Sequence, residues 1–158
     1  RKLNRETKKK IKTAGAVLFV LYILALIYFL FFADRFGRLD FAEREYHYNL
    51  VLFQEIRRFW TYREQLGIMA VAANLLGNVV GFMPFGMILP LISRNARGFF
   101  FITFSGFTLS LCVEVTQLMT KLGSFDVDDL IMNTLGTAAG YLIFAVCHSI
   151  YDKKRGRK

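Results

Sequence analysis

Several residue pairs in this chain carry chemistry at helical spacing. Glu114 and Gln117 are three apart, Asp126 and Asp129 three apart, Asp129 and Asn133 four apart, and Asn74 and Asn78 four apart. Residues three or four apart share one face of a helix, so each pair would aim its polar groups in one direction. Carboxylate and amide oxygens set out in this way suit three tasks. Glu114 can serve as an acid or base, with Asp126 and Asp129 orienting a phosphate or sugar substrate. The same oxygens can hold a hard divalent cation such as Mg²⁺ or Ca²⁺ in preference to a soft metal. Or they can hydrogen-bond helices to one another. For nucleophilic catalysis, Ser110 and Thr116 stand near the acids without an activating base in the sequence.

The elements that must position these groups are apolar. Of 158 residues, 54% are hydrophobic and 16% aromatic, yet 21% are charged, so the apolar residues must be segregated into blocks. Four blocks, at about 13–33, 67–92, 98–120 and 129–150, are long enough to cross a bilayer, which takes about 20 residues. The expected fold is all-α: an integral membrane four-helix bundle forming a single domain over 1–158. The first block lacks a small-residue cleavage site after its apolar run and reads as a retained helix. Pro84 and Pro90 predict a kinked or partly unwound second helix. Gly77 and Gly81, and Gly136 and Gly140, recur at four residues and predict close packing of the second helix on the fourth. Cys112 and Cys147 lie at different depths, predicting free, buried thiols, and neither His47 nor His148 has ligand spacing around it.

Charge placement sets the expected topology. The net charge is +9, but residues 1–12 hold seven Lys/Arg against one Glu and the tail from 151 holds five against Asp152. Arg94 and Arg97 fall on the same side of a four-helix chain. By the positive-inside rule both termini are cytoplasmic, and the connections at 34–66 and 121–128 face outward. These basic ends suit anionic lipid at the membrane surface rather than nucleic acid. The outer connection carries Phe53, Ile56 and Trp60 at helical spacing, with Arg57 and Arg58 beside them. That pattern predicts an interfacial helix whose arginines meet anionic or sugar headgroups, or an aromatic belt with solvated charges. Ionisable groups within spans are costly against lipid, so Glu114, Asp126 and Asp129 are expected to cluster with Asn78 and Asn133 around a polar pocket opening outward.

The stretches NLLGNVVGFMPFGMILPLI at 74–92, EVTQ at 114–117 and FDVDDLIMNTLGTAAGY at 125–141 resemble the VanZ-like family. The resemblance extends over roughly 38–145. Carried over residue by residue, it marks Asn74, Gly77, Asn78, Phe82, Pro84 and Gly86, then Glu114 and Gln117, then Asp126, Asp129, Asn133, Gly136 and Gly140. The outer segment YNLVLFQEI is similar to a family stretch in which a proline usually stands where this chain has Leu52. An arginine common in the family is replaced by Gly123. The resemblance implies a bacterial cell-envelope role and an association with teicoplanin resistance. Three functions stay open on these residues. One is a protein that binds an outer-leaflet lipid or lipid-linked polymer and alters access for lipoglycopeptides. The second is an enzyme on a lipid-linked phosphate or sugar. The third is a purely structural polar cluster.

Overall fold

The computed structural model describes residues 5–32, 46–93 and 97–156. In chain order the elements are α1 (Arg5–Phe32), β1 (Tyr48–Asn49), α2 (Gln54–Thr61), α3 (Arg63–Leu66), α4 (Ile68–Ile92), α5 (Phe99–Thr120), β2 (Phe125–Asp126) and α6 (Val127–Gly156). Among the described residues, four helices contain stretches long and apolar enough to cross a membrane: Lys12–Phe31, Leu75–Ile92, Phe99–Thr120 and Val127–Lys154. The fold is all-α with four membrane-spanning helices. α1 and α6 run past the expected spans because lysine and arginine are good helix formers, and at the C-terminal end of α6 they also complement the helix dipole.

α4 and α6 share the most extensive interface, α5 packs on α6, and α1 lies at the side against α4. Close approach of α4 to α6 depends on Gly136 and Gly140, where a Cβ would collide with the carbonyl oxygens of Val79 and Met83. From the other side Gly86 meets the backbone of Thr137 and Tyr141 in the same way. The expectation for Gly77 and Gly81 is corrected. A Cβ on Gly77 would meet nothing within 4 Å, and one on Gly81 would reach only Leu26, at 4.0 Å. Rotation along α4 turns this pair away from α6 and leaves Gly86 as its glycine contact. Gly81 instead offers its carbonyl oxygen to the Tyr22 hydroxyl at 2.8 Å, which ties α1 to α4.

Both prolines are accommodated within α4, which is helical without interruption from Ile68 to Ile92, so the expected partial unwinding does not occur. The thiols are also corrected: Cys112 and Cys147 are free but exposed, because α5 and α6 turn them outward from the bundle. Among the described residues the apolar exterior is broad, with Leu18, Leu24, Phe104, Leu135 and Val146 all more than half exposed. In water such a surface would be costly, whereas in hydrocarbon it is the matching solvent.

Candidate functional site: a carboxylate network at one end of the bundle

The site is built where α5 hands over to α6. Lys121 takes a left-handed conformation (φ 53°), and its N–H closes α5 by donating to the carbonyls of Gln117 and Leu118. The chain turns and enters β2, which pairs in parallel with β1 in the register Tyr48 with Phe125 and Asn49 with Asp126. The Phe125 N–H also donates to the His47 carbonyl at 3.1 Å. Two connections distant in sequence therefore meet at one end of the bundle.

Asp126 stands immediately before α6 and caps it: its Oδ1 accepts the Asp128 N–H at 2.8 Å. The same oxygen accepts the Asn49 side-chain amide at 3.2 Å. The Asp126 N–H in turn donates to Glu114 Oε2 at 2.8 Å, locking the start of α6 to α5. Asp128 reaches across the chain. Its carboxylate accepts the backbone N–H groups of Phe53 and Ile56, at 2.5 and 3.4 Å, and so caps α2 from another element. That service is needed because Phe53, the residue preceding α2, has a left-handed backbone (φ 62°) and no capping side chain. Asp129 accepts the Asn78 amide and joins α6 to α4.

One turn deeper, Asn133 donates to Ser110 Oγ at 2.9 Å, while its own Oδ1 is buried with no hydrogen-bond partner. Glu114, Asp128 and Asn133 are each 2% exposed and Asp126 6%, so the network is closed from solvent except near Asp129. Three carboxylates at the positive end of α6 are favoured by its dipole, which offsets part of their mutual repulsion. Burial pushes the Asp126 carboxyl above the usual carboxylate range, and the hydrogen bonds from the Asp128 N–H and the Asn49 amide pull it back.

Thus Asn78, Glu114, Asp126, Asp129 and Asn133 come together as the spacing suggested. Gln117 does not join them. Its amide donates to the Leu30 carbonyl at 2.9 Å, fastening the end of α1 to α5. Asn74 belongs to α4, but its side chain lies outside the described residues, as does the part of the outer connection at 34–45. Arg57 and Arg58 are exposed on α2, and the Arg58 guanidinium sits 5.4 Å from the Phe59 ring centre. Among the described residues no group of three or more His, Cys, Asp or Glu is placed to hold a metal ion. Sequence reasoning missed Asp128 and Asn49. Asn49 is the second residue of the YNLVLFQEI stretch, which was the available signal, while Asp128 is hidden between Asp126 and Asp129, whose three-residue spacing is the more evident pattern.

A family model described as VanZ/LLP1 matches residues 19–148. Protein VanZ of Enterococcus faecium is 25% identical over 140 residues, covering 87% of this chain and 78% of that protein. No solved structure matches the chain.

Proposed function

Because the chain belongs to the VanZ/LLP1 family, we propose that it is a bacterial cytoplasmic-membrane protein that binds an outer-leaflet lipid or lipid-linked polymer, and that it thereby modulates susceptibility to teicoplanin-like lipoglycopeptides. The observation that carries this reading is the capping of α2 by Asp128. It joins a short helix bearing Arg57 and Arg58 to the first turn of α6, at the level where the apolar span Val127–Lys154 begins. Guanidinium groups match phosphate oxygens two at a time, and exposed Trp60 and Tyr62 are amphipathic rings suited to headgroup depth. The Asn78–Asp129 pair, half-buried between α4 and α6, adds hydrogen-bonding capacity for a sugar or headgroup hydroxyl. In this reading Glu114, Asp126 and Asp128 hold the platform in shape and the cationic, aromatic helix makes the contact. Both termini are then cytoplasmic, as the basic clusters at residues 1–12 and 153–158 favour.

The test replaces both arginines, Arg57→Gln with Arg58→Gln, in a host whose lipoglycopeptide susceptibility depends on the protein. Melting in detergent should be unchanged, co-purified lipid detected by mass spectrometry should fall, and the susceptibility effect should be lost. An unaltered lipid complement together with the full phenotype would refute the reading.

A further inference from the structure

A groove of about 610 Å³ lies at the opposite end of the bundle from the carboxylate network. Its wall is one face of α6, on which Tyr141, Phe144, His148, Asp152 and Lys153 recur at helical spacing. From Tyr141 to Lys153 this face is about 18 Å long at the rise of an α-helix. It is graded, with aromatic side chains toward the middle of the bundle and polar or charged ones toward the end of the span at Lys154.

Arg97, from the connection before α5, is laid across this face and held at both ends. The Tyr141 hydroxyl donates to the Arg97 carbonyl at 2.6 Å, and Arg97 Nε donates to the Pro90 carbonyl at 3.2 Å. Its Nη1 lies 3.4 Å from His148 Nε2, and the guanidinium carbon is 5.9 Å from the Phe144 ring centre. On its other side His148 Nδ1 lies 3.0 Å from Asp152 Oδ2. Asp152 is thereby engaged sideways along α6. Among the described residues, two of the five N–H donors of Arg97 have partners, the Pro90 carbonyl and His148 Nε2. The exposed Lys153 and Ser149 line the same groove as the guanidinium. The formal charges of Arg97, Lys153 and Asp152 sum to a single positive charge in the groove.

We propose that this groove binds an anionic glycerophospholipid of the leaflet at the C-terminal end of α6. Its phosphate meets Arg97, Lys153 and Ser149, and an acyl chain lies along Phe144 and Tyr141. A phospholipid has the same gradient as the groove, polar at the membrane surface and apolar inward, whereas a free anion would use only the outer third. A pre-held arginine loses little entropy on binding phosphate, which favours a fixed site over diffuse attraction to the basic tail.

The experiment is native mass spectrometry of the purified full chain in detergent, titrated separately with phosphatidylglycerol, phosphatidylcholine and inorganic phosphate. Wild type should prefer phosphatidylglycerol to phosphatidylcholine by about tenfold, the worth of one to two cationic contacts at a membrane surface. Lys153→Gln, which leaves every Arg97 bond intact, should weaken phosphatidylglycerol binding about fivefold. Adding Arg97→Gln should take the loss to about twentyfold. Lys9→Gln with Lys10→Gln removes as much charge at the same end of the bundle and should change binding by less than about twofold. The proposal fails if Lys153→Gln behaves like the Lys9, Lys10 pair, since the attraction would then be diffuse. It fails equally if the two lipids bind alike, or if inorganic phosphate alone displaces bound phosphatidylglycerol, which would mark a free-anion site.

Discussion

Glu114 and Asp126 sit in series: the glutamate accepts the aspartate's N–H, and the aspartate's carboxylate then caps the next helix. Replacing Glu114 by Leu removes the acceptor from a buried donor and should cost about 1–3 kcal/mol, the penalty for an unpaired buried polar group. Glu114→Gln keeps a carbonyl oxygen at the same reach and should melt close to wild type. The two variants, compared by thermal melting in one detergent and by lipoglycopeptide susceptibility in one host, separate support from chemistry. On the present reading Glu114→Gln retains the susceptibility effect, and loss of that effect with an unchanged melt would put Glu114 at a binding or reacting centre. Asp126 carries a pH signature. Burial raises its pKa in the folded protein, so between the ordinary carboxylate value of about 3.9 and the raised one, the folded state holds a proton that the unfolded state has lost. Its contribution to stability is therefore greatest in acid and declines as pH rises through that window. Asp126→Asn keeps an oxygen for the Asp128 N–H and should remove the decline. Melting midpoints measured across the acid range should show the gap between variant and wild type widening with pH, and parallel curves would mean that Asp126 does not titrate there.

Helix contacts in this molecule are decided by which glycines face backbone. Gly140→Ala would drive a methyl group into the Met83 carbonyl and force α6 off α4, a strain of about 1–3 kcal/mol for overpacking. Gly77→Ala meets open space and should be neutral or gain up to about 1 kcal/mol of helix propensity. Melting temperatures and helicity of the two variants check this, and equal destabilisation would mean that the glycines act through propensity alone. All four glycines share the same four-residue repeat in sequence, so spacing made the fourth-helix pair legible and misassigned the second-helix pair. Which face of a helix meets a partner depends on its rotation, which spacing alone does not give: Asn78 is turned to α6 and bonds Asp129, while Gly77 beside it is turned to open space. The spans were legible because hydrocarbon demands long apolar runs, and the acids because few partners exist for them inside such runs. Asp128 was not, because its role is to cap a helix 72 to 75 residues earlier in the chain, and only the pairing of β1 with β2 brings that helix within reach.

At the scale of the whole molecule, the pairing of β1 with β2 puts the connections before α4 and after α5 at one end. Gln117 fastens the last turn of α1 to that same end through the Leu30 carbonyl. The first turn of α1, Arg97 and the C-terminal end of α6 consequently share the other end, and so do the described parts of the basic clusters, at residues 5–12 and 153–156. Translocating those clusters would mean moving several lysines and arginines across the bilayer against the positive-inside preference, so the bundle should insert with both ends in the cytoplasm. A single cysteine introduced at position 2 or at position 158 should resist a membrane-impermeant maleimide in intact cells and react after the membrane is opened. Cys112 and Cys147 must be replaced first, because both are exposed on the bundle surface and would label in detergent. A cysteine at Gln65, exposed near the end of α3, should react in intact cells. Labelling of positions 2 and 158 from outside, with Gln65 protected, would invert the molecule. The carboxylate network would then face the cytoplasm, and an outer-leaflet ligand could not reach Arg57 and Arg58.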